Sequence, residues 1–245
     1  HHAQLVGAQV VEGVAHGGRR RHEAGHRRAQ QVQQRGVHRG RELQRVVLAA
    51  LDHGHHGPHL ALECGARGQQ FHRADPAELA RAGVRFSALP DQDFGGGCHA
   101  IGSVRLTDIG TPATNLGPMT CPLARNFVAW VQYAVKPAAR QVFGANLARI
   151  ETFGTYSCRN VNGASSGRLS QHAYANAVDV SAFVLDDGTR VTVLSGWSGD
   201  GRAQQFLRLI HTSACRRFGT VLSPEYNRQH ANHFHFDMSG AGYCR

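Results

Sequence analysis

The chain has 245 residues, of which 41% are hydrophobic, and a formal net charge of +10. This length suits one or two domains with a sizeable core. No apolar run in the sequence is long enough to span a membrane, so a membrane-spanning protein is excluded. The positive charge is compatible with two kinds of partner, nucleic acid or an acidic surface such as an anionic cell wall.

The first 73 residues differ in composition from the rest. Residues 1–73 hold 11 Arg against 5 acidic residues, a net charge of +6, while the remainder carries +4. The same segment holds 11 of the 17 His and no Trp or Tyr. With so little apolar surface, it is predicted to be disordered or to reflect a start placed upstream of the true one. It lacks a signal-peptide pattern, and the basic tail is only a weak argument for nucleic acid as a partner.

A folded domain is predicted over residues 75–245, where Asp75-Pro76 is typical of a helix start. Alternating or β-branched runs predict strands, and an Asp-Gly pair at 187–188 predicts a hairpin. The Gly-rich stretch 93–97 is predicted to be a turn or loop. The predicted strands are 84–88, 101–106, 147–156, 176–183, 190–193, 220–222 and 233–237.

Two amphipathic helices complete the predicted domain. The first has Thr120 as its N-cap and a buried stripe that includes Trp130, and Pro137 is expected to interrupt it. The second spans residues 203–218, with an apolar stripe on one side and arginines on the other. These elements predict an α+β fold, a small antiparallel sheet with helices packed on one side.

Two segments carry residue types suited to metal binding. The first, SQHAYANAVD, contains His172 and Asp179; the second, HANHFHFD, contains three imidazoles. The second alternates with period two, so His233 and His235 share one face of a strand while the Phe residues take the other. Zinc is held by His nitrogens and carboxylate oxygens, and a catalytic site needs three protein ligands and an open position. We therefore predict a metal site made by His172, Asp179 and one of the clustered His.

Both segments resemble known families. SQHAYANAVD is similar to the S-x-H-x-x-G-x-A-x-D motif of the zinc D-Ala-D-Ala carboxypeptidase, murein endopeptidase and hedgehog superfamily, and H-x-x-H-x-H resembles its murein endopeptidase members. Residues from about 76 to 245 resemble the bacterial extensin-like C-terminal domain family more closely, through CPLARNFVAWVQYAVKPAARQVFG, TYSCRNVNG and HANHFHFD. The motif Gly is Ala175 here, which strains the loop if the position requires a positive φ.

The resemblance implies a single-zinc peptidase domain. Its metal ligands would be His172, Asp179 and His235, and His233 would be the general base or its helper. The implied substrate is a peptide amide of peptidoglycan stem peptides or another cell-wall peptide, in a carboxypeptidase or endopeptidase reaction. The alternative is a non-catalytic, zinc-stabilised cell-wall or glycan-binding module.

Three further residues have predicted roles. The resemblance implies that Arg159 holds the polarised substrate, with a surface salt bridge as the equal alternative. It also implies that His230 contacts the substrate or supports a ligand. Ser170 is expected to hold the motif loop by a side-chain hydrogen bond, although a merely solvated Ser fits the pattern nearly as well.

The six cysteines are scattered and contain no CxxC pair, which argues against a zinc finger. Scattered cysteines in a wall-type domain indicate disulfides and hence a periplasmic or secreted protein. Connectivity does not follow from the sequence. Because the related family pattern has another Cys near the domain start, Cys98 is expected either to be unpaired or to pair with Cys64.

Overall fold

The computed structural model describes residues 84–240 and 242–245, so the predictions for residues 1–73 and for the domain start at 75 lie outside the described residues. The strands are β1 (Arg85–Ala88), β2 (Gln92–Gly95), β3 (Cys98–Ala100), β4 (Ser103–Asp108), β5 (Met119–Thr120), β6 (Leu147–Gly154), β7 (Ala177–Leu185), β8 (Arg190–Thr192), β9 (Thr220–Leu222), β10 (Phe234–Asp237) and β11 (Tyr243–Cys244). The helices are α1 (Cys121–Trp130), a π-helical turn (Val131–Val135), α2 (Lys136–Phe143), α3 (Val193–Gly196) and α4 (Gly201–Ala214), with 3-10 turns at Val161–Gly163, Gln171–Tyr174 and Arg228–His230.

The largest described sheet brings the two motif segments side by side. Its strand order is β11-β9-β10-β7-β6, and β8 also pairs with β7. Strands β10 and β7 are antiparallel, with His235 opposite Asp179 and Phe236 opposite Val178. Directly opposed residues share one face of a sheet, so this register alone places an imidazole beside a carboxylate. Two smaller antiparallel sheets, β1-β4-β5 and β2-β3, complete the strands, and the α+β class is confirmed.

An aromatic core covers the apolar face of the sheet. The ring of Trp130, on α1, meets Phe183 of β7 at 6.0 Å and Phe236 of β10 at 5.0 Å between centroids. On the other side of the same cluster, Phe206 of α4 packs against Phe183 at 5.2 Å. The indole Nε1 of Trp130 donates to the Ile210 carbonyl at 2.9 Å, so even the polar atom of this ring is satisfied. Trp130 is therefore a core residue, as predicted.

The first helix differs from its prediction in two details. The interruption expected at Pro137 comes earlier, at the π-helical turn Val131–Val135, and Pro137 lies in the first positions of α2. There the missing N–H matters least. Thr120 is at the N-cap but makes no capping bond. Its Oγ1 instead donates to Asn176 Oδ1 at 2.7 Å, which ties the helix start to the first motif.

The stretch 93–97, predicted to be a turn or loop, holds the end of β2 and the turn of a hairpin. β2 pairs with β3, and the turn between them uses Gly96 and Gly97 at positive φ. Cys98 follows the turn and forms a disulfide with Cys158, with the two Cα atoms 5.6 Å apart. The expectation that Cys98 is unpaired or meets Cys64 is therefore wrong. Sequence separation gives no hint of this pairing, which depends on the hairpin packing beside the 158 loop.

Two more features of the described part of the chain agree with the sequence. The Asp187-Gly188 pair turns β7 into β8, with Gly188 at φ 86°. Cys215 and Cys244 form a second disulfide, and Cys121 is disulfide-bonded as well.

Among the described helices none is long and apolar enough to cross a membrane.

Candidate metal centre

A short capped turn delivers the first predicted ligand. Ser170 precedes the 3-10 turn Gln171–Tyr174, and its Oγ accepts a hydrogen bond from the His172 backbone N–H at 3.3 Å, which confirms the predicted role of this Ser. The turn ends at Ala175 with φ 51° and ψ 26°, a left-handed conformation. An L-residue with a Cβ is disfavoured there by about 1–2 kcal/mol. The strain expected from Ala in place of Gly is therefore present.

Three donor atoms converge where the turn meets the sheet. The distances are 3.1 Å from His172 Nε2 to Asp179 Oδ1, 2.9 Å from His235 Nδ1 to Asp179 Oδ1, and 3.2 Å between the two nitrogens. All three side chains are buried, with relative exposures of 2% for His172, 6% for Asp179 and 7% for His235. The near-equilateral triangle is fixed by strand register on one side and by the capped turn on the other.

Each ring of the triangle is oriented by a second contact. His172 Nδ1 lies 3.1 Å from the Thr155 carbonyl oxygen, and His235 Nε2 lies 3.0 Å from Asp237 Oδ2. These oxygens only accept, so each outer nitrogen carries the hydrogen. In a neutral ring the inner nitrogen then presents a lone pair to the triangle. This is the arrangement in which metal-binding imidazoles are usually held.

The donor set fits a zinc ion. Three ligands that each lie about 2.1 Å from a tetrahedral ion are about 3.4 Å apart, close to the three edges of this triangle. Two imidazole nitrogens and one carboxylate oxygen are also the donor types that zinc accepts. His172, Asp179 and His235 offer ligand atoms that all lie within 4.8 Å of one another. The assignment of these residues as zinc ligands stays a prediction.

The pKa values of Asp179 and His235 are both shifted in the direction that favours positive charge in the triangle. Burial alone would raise the pKa of Asp179, but the neighbouring imidazoles of His172 and His235 outweigh it and hold that pKa far below its usual range. Burial alone would lower the pKa of His235, but Asp179 and Asp237 outweigh it and raise the pKa to about 9. Without a metal, therefore, a proton on His235 separates the two carboxylates.

His233 and Arg159 lie at the edge of the triangle and both reach Asp179. His233 Nε2 is 3.5 Å from Asp179 Oδ1, and an Arg159 Nη2 is 3.5 Å from Asp179 Oδ2. The Nδ1 of His233 donates to Asn232 Oδ1 at 2.8 Å, so the free lone pair is on Nε2, which faces the triangle. Burial lowers the pKa of His233, although Asp179 opposes this, and favours the neutral ring.

His230 completes the group of six predicted site residues. Its ring centroid lies 5.1 Å from that of His233 and 5.8 Å from that of His235. Its Nδ1 donates to Asn227 Oδ1 at 2.6 Å. Burial and the neighbouring imidazoles lower its pKa to about 4, so this ring is neutral at ordinary pH. The structure therefore brings together every residue predicted for the site, while their individual roles stay predictions.

The residues that orient the imidazoles were not predicted. Each of the four rings has its own acceptor, and these are Thr155, Asn227, Asn232 and Asp237. Asp237 shares the strand face of His235, so the period-two pattern contained a usable signal. Asn232 and Asn227 lie one and three residues before the imidazoles they bind, which is a local pattern. The Thr155 contact is a backbone carbonyl just after the end of β6, and no sequence signal could find it.

A second group of metal-binding residue types lies at the other end of the described sheet. His211, Cys215 and Cys244 approach one another, but the two sulfur atoms are joined in a disulfide. A disulfide sulfur offers no thiolate, so one imidazole is left. The His211 ring instead packs against Trp197 and Phe234.

A cleft of about 670 Å³ opens beside His233. Phe153 and Asn232 line it, and both touch His233: the Phe153 ring centroid is 5.6 Å away, and Asn232 binds Nδ1. Phe153 is 57% exposed, which is unusual for a large apolar side chain. The cleft therefore borders His233 through these two residues, while the three triangle residues do not line it.

The sequence model of one protein family, described as extensin-like protein C-terminus, matches residues 75–245. No curated protein and no solved structure matched the chain. The relation to the zinc peptidases rests on the two motif segments alone and remains a prediction.

Proposed function

We propose that this chain, which belongs to the extensin-like protein C-terminus family, is a zinc-dependent peptidase whose metal ligands are His172, Asp179 and His235. One observation carries the proposal. Two imidazole nitrogens and one carboxylate oxygen converge within 2.9–3.2 Å of one another, while the outer nitrogen of each ring is held by an acceptor. Buried acceptors at this spacing repel one another unless a cation lies among them.

The proposed reaction is hydrolysis of a peptide amide. When bound, zinc would lower the pKa of a water molecule toward neutrality and polarise the carbonyl of the bond to be cut. His233 would take a proton at Nε2, since its Nδ1 hydrogen is committed to Asn232 and its neutral state is favoured by burial. The same nitrogen would then return that proton to the leaving amine.

Arg159 would hold the carbonyl oxygen. Its guanidinium is 37% exposed and lies 3.5 Å from Asp179, so it combines access to a substrate with proximity to the triangle. A fixed positive charge near the developing oxyanion lowers the barrier of amide hydrolysis. His230 is positioned to contact the substrate or to support His233, whose ring it faces. The motif resemblance points to peptidoglycan stem peptides as the substrate.

A non-catalytic, zinc-stabilised wall-binding module is the second candidate. The observation in its favour is the burial of the three proposed ligands, each less than a tenth exposed. Structural zinc sites are closed, whereas catalytic sites keep one position open to water. The cleft whose lining residues Phe153 and Asn232 contact His233, together with the exposed side chain of Arg159, is what favours the peptidase over this alternative.

The test is metal analysis combined with a digest. The full-length chain is purified, its zinc content is measured, and the protein is incubated with cross-linked muropeptides whose products are identified by mass spectrometry. We expect about one zinc per chain and a cleaved stem peptide, with activity lost on chelation and restored by zinc. A chain that binds no zinc would overturn the proposal.

His233→Ala separates the two candidates. It should keep zinc but reduce turnover by roughly 10²–10⁴-fold, the usual contribution of a positioned proton-transfer group. Arg85→Ala is the control, because Arg85 forms an exposed ion pair with Asp108 in a different sheet. Loss of zinc in His233→Ala would mean that the ligand assignment is wrong. Zinc-loaded wild type that binds muropeptides without cutting them would establish the wall-binding module.

A further inference from the structure

The cleft beside His233 lies on the face of the sheet that carries Asp179. Ser181 lines the cleft and is two residues after Asp179 on β7, so the two side chains share a face. On the neighbouring strand β6, Arg149, Glu151 and Phe153 follow the same spacing of two, and all three line the cleft. The cleft is thus a continuation of the face that holds the triangle.

The cleft runs along β7 from the part of that strand that pairs with β10 to the part that pairs with β8. Residues 177–180 of β7 pair with β10, whereas residues 182–184 pair with β8. Ser181 lies at the change between these two partners. The cleft therefore begins at Asn232, which precedes β10 and binds His233, and ends at Arg190 on β8.

Two arginines and one glutamate form the far end of the cleft. Arg190 binds Glu151 through Nε at 3.2 Å and Nη2 at 2.6 Å, and Arg149 Nη2 binds it at 3.1 Å. The three charges leave a net charge of +1. Within the described residues, Glu151 is the only hydrogen-bond partner of either guanidinium, so each keeps N–H groups for another acceptor. Both arginines are about half exposed, which leaves them accessible.

The distance from the triangle follows from strand geometry. Gly154 of β6 is the partner of Asp179, and Glu151 is three residues earlier on β6. At about 3.3 Å per residue, Glu151, whose carboxylate holds both guanidinium groups, lies roughly 10 Å from the triangle along the strand. An extended peptide advances by nearly the same amount per residue. Three residues of an extended substrate therefore span this distance.

We propose that Arg149 and Arg190 form a subsite for a carboxylate carried by an extended peptide, about three residues from the bond to be cut. This inference rests on the proposed function, since it takes the triangle as the place of cleavage. A guanidinium matches a planar carboxylate through paired N–H groups. The intervening cleft is lined mainly by hydroxyl and amide side chains, which suit the polar backbone of a peptide.

The experiment measures binding separately from cleavage. Full-length zinc-loaded His233→Ala protein is titrated calorimetrically with paired synthetic peptides that carry Glu or Gln three residues from the amide bond, on either side. The Glu peptide of one pair should bind about tenfold more tightly than its Gln partner, the size of a charge-assisted contact at a partly exposed site. Equal affinities, or no measurable binding of any peptide, would overturn the subsite.

Variants assign the effect to the arginines. Arg149→Gln/Arg190→Gln, with Glu151→Gln to avoid an unpaired carboxylate, should bind both peptides with equal affinity. Arg85→Gln is the matched control, since Arg85 forms an exposed ion pair with Asp108 outside the cleft. A preference for the Glu peptide that is retained in the triple variant would refute the assignment of the effect to the arginines. Tighter binding of an oligogalacturonate than of the Glu peptide would overturn the peptide as the occupant of the subsite.

The two proposals fail in different ways. If wild type cleaves no peptide but His233→Ala still prefers the Glu peptide, the peptidase proposal fails and the carboxylate subsite stands as a binding site. If wild type cleaves both peptides with equal KM, the subsite fails and the peptidase proposal stands.

Discussion

The two faces of β10 are both buried, but by different means. Phe234 and Phe236 are fully buried in an aromatic cluster, with Phe218 stacked 4.7 Å from Phe236 and Trp197 edge-on to Phe234. His235 and Asp237 are 7% and 5% exposed on the opposite face. There the contacts are hydrogen bonds and ion pairs. One short strand therefore separates a hydrocarbon environment from a cluster of charges.

The difference shows what each face contributes. Burial of a Phe side chain stabilises the fold by about 1.5–3 kcal/mol and requires only matching shapes. Burial of an ion costs several kcal/mol unless partners offset the loss of water. A face made of carboxylates and imidazoles is therefore a poor way to stabilise a sheet. Its presence on the central strands indicates a role in binding or chemistry.

Neighbouring residues of β10 give the largest predicted contrast. His235→Ala should abolish zinc retention and activity, because one of three ligands is lost. Phe236→Ala should lower the free energy of unfolding by about 3–5 kcal/mol, yet the folded fraction should keep its zinc. Denaturant unfolding and zinc per folded chain measure both effects. The comparison fails if folded Phe236→Ala protein loses its metal or if His235→Ala keeps it.

The pH dependence of the free energy of unfolding, measured without zinc, should depend on the polar face of β10 and not on its aromatic face. The pKa of His235 is raised to about 9 in the folded state, so the stabilisation is complete below pH 6.5 and is lost as pH rises through 9. The expected loss is on the order of 3 kcal/mol. Zinc displaces this proton, so the zinc-loaded chain should show no such fall. Thermal melts at pH 6.5 and 9.5, with and without zinc, make the comparison, and identical profiles would contradict it.

Asp237→Asn tests whether the contact between His235 Nε2 and the Asp237 carboxylate strengthens zinc binding. The amide keeps the size of the side chain but removes the negative charge opposite Nε2, which should weaken zinc binding by about 10–100-fold. Competition with a coloured chelator measures the affinity. Asp108→Asn is the control, because its ion pair with Arg85 is exposed. An unchanged zinc affinity in Asp237→Asn would show that Asp237 does not contribute to metal binding and that only the three proposed ligands do.

Ala175→Gly should give the smallest effect. Relief of the left-handed strain is partly offset by the greater freedom of Gly in the unfolded chain, so a gain of up to about 1 kcal/mol is expected. Ala173→Gly, in the same turn but without a positive φ, should instead destabilise the protein. Urea unfolding measures both variants. A loss of stability in Ala175→Gly would show that the Ala methyl group packs better than its backbone suggests.

The site was easier to predict than some of its surroundings. Period-two alternation placed His233 and His235 on one face, whereas the register that sets His235 opposite Asp179 joins two distant segments and does not follow from a local pattern. Contacts between distant residues could not be predicted. The Thr120 hydroxyl was expected to cap the helix by accepting from a local N–H group. It instead donates to Asn176, 56 residues away, and makes no capping bond. The Cys98–Cys158 pairing depends on a hairpin that a Gly-rich sequence conceals.

The Cys98–Cys158 disulfide has a consequence for the order of assembly. Strands β7 and β10 and the capped turn provide the three proposed ligands, and none of them contains a cysteine of this bond. Arg159, in contrast, directly follows Cys158 and is anchored by it to a hairpin 60 residues earlier in the chain. Closing a loop of that length stabilises the native state by about 4 kcal/mol. In a newly made chain, Arg159 gains this anchor only after oxidation, so the proposed cleavage is expected where thiols are oxidised.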